Sequence, residues 1–198
     1  SRKNLPAPMP TAFAIRLVLW IWLAAALYVG HSRFLVPLPP LALPAIVLTL
    51  TALLVLAYRR VTPLRTWIDS LDLRTIVLLH VIRFVGVYFL VLGDRGVLPQ
   101  RIALPAGVGD IAVALLALVV ALYPFSESTR RRAIYYWNIF GLVDILLVIS
   151  SAARTALSGS RELAAFAELP LSLFPTFLVP LIIASHLAIF RRLGEESR

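Results

Sequence analysis

The chain contains no cysteine. That excludes disulfides, thiolate metal sites, iron–sulfur clusters and thiol nucleophiles, and leaves the redox compartment unspecified. Lys3 is the only lysine, so arginine supplies nearly all the basic charge. There is no G-x-S-x-G elbow, no phosphate-cradling glycine loop and no H-E-x-x-H metal spacing. Ser150 and Ser151 have no evident base beside them, so the expectation leans away from an enzyme. Polar sequence is scarce as well. Of the 198 residues, 60% are hydrophobic, against about 45–50% in an ordinary soluble domain. Apolar surface on that scale has no place to hide from water in a chain of this length.

The composition therefore predicts an all-α, polytopic integral membrane protein, read as one domain over residues 1–198. The formal net charge is +9. Its distribution argues against nucleic acid: basic residues sit at the ends of hydrophobic runs, with no recognition motif beside them. They fit membrane topology and contact with anionic lipid headgroups instead.

Six spans are expected, at about 11–30, 41–58, 73–93, 102–123, 133–153 and 170–190. The first follows a polar, proline-broken start (Pro6, Pro8, Pro10) and resembles a signal peptide at Ala24-Ala25-Ala26. Its apolar run is too long for a typical signal core, so it reads as a retained span. Arg16, about one turn inside, is expected to snorkel to the nearer headgroups. Span two carries no ionisable residue, which marks it as the lipid-facing helix. Thr62-Pro63 starts a short interfacial helix running to Asp72, and 160–169 reads as a second one. Ala103/Gly107 and Ala117/Ala121 have small-xxx-small spacing for close helix contact. Tyr135, Tyr136 and Trp137 read as an aromatic belt.

Orientation follows from counting basic residues by side. The N-terminus, the loops after spans two and four and the C-terminus carry Arg2, Lys3, Arg59, Arg60, Arg65, Arg74, Arg130, Arg131, Arg132, Arg191, Arg192 and Arg198. The other side carries Arg33, Arg95, Arg101, Arg154 and Arg161. Both termini are therefore expected in the cytoplasm, the chain lying in a bacterial inner (plasma) membrane.

The stretch around which the rest is expected to assemble is Leu78-Leu79-His80-Val81-Ile82-Arg83-Phe84-Val85-Gly86. It puts an imidazole and a guanidinium on one helix face, and an arginine at mid-membrane needs a partner inside the protein. At about 1.5 Å per residue, Arg83 lies roughly 15–18 Å from the cytoplasmic edge and Asp144 roughly 16 Å. Asp110 enters from the other side and lies roughly 12 Å in, the same layer of a roughly 30 Å core. An Arg83–Asp110 pair is the most specific expectation. Gly107-x-x-Asp110-Ile111 and Gly141-x-x-Asp144-Ile145 share a pattern in which a glycine one turn before the carboxylate admits a backbone or ligand.

Three functions are compatible with these residues. One is binding or transport of a small solute or protons through His80, Arg83, Asp110 and Asp144. The second is a haem b-binding redox subunit ligated by His80 and His186, roughly 10–13 Å and 7 Å from the cytoplasmic edge. The third is a structural subunit of a larger membrane complex or homo-oligomer, with the charges holding helices in register. Pro170, Pro175 and Pro180 in the last span, with Pro37, Pro39, Pro40 and Pro44, predict a distorted outer half and a vestibule reaching toward Asp110.

Overall fold

The structure is a computed structural model, and it describes residues 10–195. The first prolines of the N-terminal stretch, with Arg2, Lys3 and Arg198, lie outside the described residues. The described chain is all-helical. Helix α1 spans Thr11–His31, α2 Ala42–Arg60, α3 Thr62–Ser70, α4 Leu73–Leu79, α5 Gly86–Asp94, α6 Gln100–Leu122, α7 Glu127–Leu157 and α8 Val179–Glu195. Helices α4 and α5 are two halves of one rod joined by a 3-10 stretch at His80–Val85, and a π-helical turn at Phe174–Leu178 leads into α8. Among the described residues, six rods are thus long and apolar enough to cross a membrane.

Two local irregularities have local causes. In a 3-10 helix, residues i and i+3 eclipse, so His80 stands directly above Arg83 instead of merely sharing its face. In the last rod, Pro180 has no N–H for the carbonyl of Thr176, four residues earlier. The indole of Trp22 on α1 donates to that carbonyl at 2.9 Å, while the Trp22 ring packs edge-on against Phe177. The proline break is thereby satisfied from a neighbouring helix.

The closest packing joins the α4–α5 rod to α6. A Cβ on Gly86 would meet the Gly107 carbonyl oxygen at 2.5 Å, and one on Gly107 would meet the Gly86 carbonyl oxygen at 2.8 Å. Two backbones touch here, so both positions exclude a side chain. Ala103, Ala117 and Ala121 continue this small-residue face, all buried. Large apolar residues point outward instead, among them Trp20, Tyr28, Leu122 and Leu147.

Several expectations are corrected. The most exposed rod is α1, which buries only Ala26 and Gly30. Helix α2, the candidate for a lipid-facing helix, does present an exposed apolar face with Leu48, Leu53 and Leu56, and buries Pro44, Val47, Thr51 and Tyr58 on the other. A lack of charge says that a helix avoids water, not which apolar neighbour it meets. Residues 160–169 form only a short 3-10 turn, Ala164–Ala167. Leu163 and Ala167 tuck under the bundle rather than lying on its surface. Trp137 is not in a belt: Tyr135 and Tyr136 are exposed, but Trp137 is buried and donates to the Val113 carbonyl at 3.0 Å.

The charged ends are unequal. At one end Arg33 pairs with Glu168 and Arg101 with Glu162. The hydrogen bond from Arg101 holds the Glu162 carboxyl below its ordinary range. At the other end Arg130 is 4% exposed. Its guanidinium donates to the carbonyls of Val120, Ala121, Tyr123 and Phe125. It therefore caps the C-terminus of α6, where the free carbonyls carry the negative end of the helix dipole. Arg130→Gln is expected to lower stability by about 2 kcal/mol, the range for hydrogen bonds to a charged group. The exposed Arg132→Gln stays within about 0.5 kcal/mol. Thermal unfolding of the two variants in detergent makes the comparison.

Candidate functional site

Arg83 is 1% exposed. All three of its guanidinium nitrogens have acceptors. Nε donates to Asp110 Oδ1 at 2.6 Å, Nη2 donates to Asp144 Oδ2, and Nη1 donates to the Gly141 carbonyl at 3.1 Å. The residue expected to need a partner has two carboxylates, one from α6 and one from α7.

The glycines that precede these aspartates create the space. Gly107 admits the Gly86 backbone, bringing the Arg83 segment against α6. Gly141 gives its carbonyl to Arg83, and a Cβ there would strike the His186 ring at 2.7 Å. Gly109, which carried no expectation, lies where a Cβ would overlap the Asp144 carboxylate.

Behind the guanidinium is a histidine pair. The His80 and His186 rings lie 4.3 Å apart between centroids, both against Trp137. His186 was expected nearer the end of the bundle. The contact of the two rings puts His186 level with His80 in the bundle. Hydrogen bonding defines the tautomers. The Ser185 hydroxyl donates to the Ile182 carbonyl, so it accepts from His80 Nε2 at 3.0 Å. Asn138 Nδ2 donates to the His186 carbonyl, so Asn138 Oδ1 accepts from His186 Nδ1 at 2.7 Å. The remaining nitrogens, His80 Nδ1 and His186 Nε2, are buried without a protein partner. A proton on either would be a buried N–H with no acceptor, which favours the neutral form of both rings.

This arrangement does not fit a bis-histidine haem. Ligation requires the two imidazoles on opposite faces of a porphyrin, each nitrogen about 2 Å from the metal. Here the rings touch each other directly, and one nitrogen of each is committed to Ser185 or Asn138. Among the described residues, no group of three or more His, Asp or Glu is placed to hold a metal ion.

Asn138 and Ser185 carried no expectation. Asn138 had a signal: it is a polar residue in an apolar run, three before Gly141, hence on the same face of α7. Ser185, next to His186, had none. His31 ends α1 at the surface, away from the pair.

A cavity of about 110 Å³ lies against this cluster, in the half of the bundle away from the Arg130 end. Its walls come from α2, the α4–α5 rod, α6, α7 and the proline-bearing entry to α8, and include Val47, Ile102, Val148, Phe174 and Val179. Arg83 and Asp110 are the charged residues of its lining. The prolines Pro44 and Pro175 do line a space that reaches Asp110, but the space is apolar where a vestibule was expected.

Taken together, the fold and the site define an all-helical bundle with six membrane-length rods and a buried Asp–Arg–Asp triad. The profile of one protein family, described as a domain of unknown function (DUF8737), matches residues 40–194, and the chain belongs to that family. The match takes in α2 to α8, and with them every residue of the triad, the histidine pair and the cavity. No curated protein and no solved structure matches the chain.

The charge balance of the triad generates a prediction. One guanidinium and two carboxylates sum to −1. Arg83→Met removes the cation and strands two buried anions, which is expected to destabilise the protein by about 3–5 kcal/mol. Asp144→Asn leaves a balanced Arg83–Asp110 pair and is expected to stay within about 1 kcal/mol of the native chain. Thermal melts of both variants decide it; equal losses would mean that the triad is only a set of packing contacts.

Proposed function

We propose that the chain is an integral plasma-membrane protein, with both termini cytoplasmic, that binds a small, mostly apolar solute inside the bundle. The solute occupies the cavity, and Arg83 and Asp110 form its polar end, with Asp144 behind them on Arg83. One observation carries this reading: an apolar chamber terminates on a buried ionic triad with surplus negative charge. A triad serving only to hold helices in register needs no chamber beside it. Intramembrane ionisable groups typically face a cavity or pathway when they serve one. His80 and His186 are placed behind Arg83 as a neutral support, fixing its segment through Ser185 and Asn138.

The orientation has its own support. Arg59, Arg60, Arg65, Arg74, Arg130, Arg131, Arg132, Arg191 and Arg192 gather at one end of the rods, the side expected to face the cytoplasm and its anionic headgroups. Because the chain has no cysteine, single-cysteine variants label without background. Val97→Cys, in the turn after α5, is expected to react in intact cells with a membrane-impermeant maleimide. Ser128→Cys, at the start of α7, should react only after permeabilisation. The reverse pattern would invert the topology.

The chamber is tested with propylbenzene, a neutral probe of suitable size, since dry apolar cavities take up small aromatics. Propylbenzene is expected to raise the unfolding temperature of the native chain by a few degrees. Ala152→Phe, which fills the chamber from a half-buried wall position on α7, should abolish the rise. No rise in the native chain, or an equal rise in the variant, would overturn the reading.

A further inference from the structure

We propose that the chamber selects a lipophilic organic cation: a primary or substituted ammonium carried on a small apolar or aromatic body. The inference rests on the chamber being a binding site and specifies what it takes.

Three independent features point to this class. The first is which member of the triad keeps bonding capacity at the chamber. Arg83 is 1% exposed with all three nitrogens occupied, while the Asp110 side chain is 15% exposed. Asp110 Oδ1 accepts from Arg83. Among the described residues no donor reaches Oδ2. Asp110 and Arg83 both line the chamber, but the guanidinium is fully bonded while the carboxylate keeps one oxygen without a protein donor.

The second feature is the sum of charges. The second nitrogens of His80 and His186 are buried with no acceptor for a further proton, so the histidines add no cation and one guanidinium against two carboxylates leaves a formal charge of −1. A buried anion in apolar surroundings is unfavourable unless paired. A bound ammonium brings the sum to zero, whereas an anionic ligand would double the imbalance.

The third feature is aromatic. Phe89, Phe166 and Phe174 all line the chamber. They form one mutually packed group, with ring centroids 4.7 Å apart for Phe89–Phe174, 6.0 Å for Phe89–Phe166 and 6.3 Å for Phe166–Phe174. Aromatic faces attract cations, and walls of this type recognise substituted ammonium groups. The rest of the lining is aliphatic, which suits the ligand's body and disfavours a hydrated inorganic ion. A hydrophobic ammonium satisfies the carboxylate, the rings and the aliphatic wall together.

The experiment uses the full chain in lipid nanodiscs near neutral pH and three probes built on one phenyl scaffold. These are 2-phenylethylammonium (a cation), propylbenzene (its neutral isostere) and 3-phenylpropanoate (an anion). Titration calorimetry is expected to show the cation binding at least tenfold tighter than propylbenzene, and the anion not binding. Asp110→Asn should erase the cation's advantage while leaving propylbenzene affinity unchanged. Phe89→Leu, which keeps an apolar wall but removes a ring, should weaken the cation about threefold and propylbenzene far less. Equal affinity for cation and neutral isostere would overturn the proposal, leaving the chamber intact and a proton as the species that balances the triad. Persistence of the cation's preference in Asp110→Asn would also overturn it. Absence of binding by all three probes would remove the chamber reading itself.

Discussion

One guanidinium held between two carboxylates, out of reach of water, is the constraint to which the bundle conforms. Arg83 cannot be left unpaired at that depth, and its partners sit on different helices. Helix α6 must therefore lie on one side of the α4–α5 rod and α7 within reach of the other. The glycines make this possible. Gly86 and Gly107 bring two backbones into contact, Gly109 makes room for the Asp144 carboxylate, and Gly141 makes room for His186. The 3-10 stretch then stacks His80 on Arg83, so the histidine pair and the triad become one polar core. Ionic attraction sets which helices meet, and the absence of Cβ atoms lets them come close enough.

Much of this arrangement is written plainly in the chain. Charges are so scarce in the apolar runs that Arg83, Asp110 and Asp144 stand out, and a constant rise per residue places them in one layer. The six rods follow from run length alone. Other features depend on neighbours that no local pattern names. Nothing in His80–Val85 announces a 3-10 turn, although Arg83 within it bonds to two other helices. Trp137 looks like its exposed neighbours Tyr135 and Tyr136, and only the Val113 carbonyl across the interface explains its burial. Arg130, Arg131 and Arg132 read as one basic block, although Arg130 alone closes the end of α6. Helix α8 continues through Arg191 and Arg192 to Glu195, so the arginines mark a polar boundary and not the end of the helix.

The haem reading illustrates the difference between composition and geometry. Two histidines in two apolar spans are what such a site requires, and the structure does bring them together. It brings them too close, ring against ring, with Ser185 and Asn138 fixing their protons. A pair of neutral imidazoles in that state is a spacer with defined polarity. It fills the space behind the guanidinium without adding charge.

The contact between Gly86 and Gly107 has a mechanical side. With two backbones in direct contact, and Leu90 packed beside them, α5 and α6 cannot come closer at this point without a clash. Across the chamber the entry to α8 is the π-helical turn Phe174–Leu178, with Pro175 inside it and Pro180 just beyond, and its carbonyl at Thr176 accepts from an indole of α1. The chamber therefore lies between a wall closed by backbone contact, which carries Asp110, and a wall whose interrupted helix leans on a neighbour for one of its hydrogen bonds.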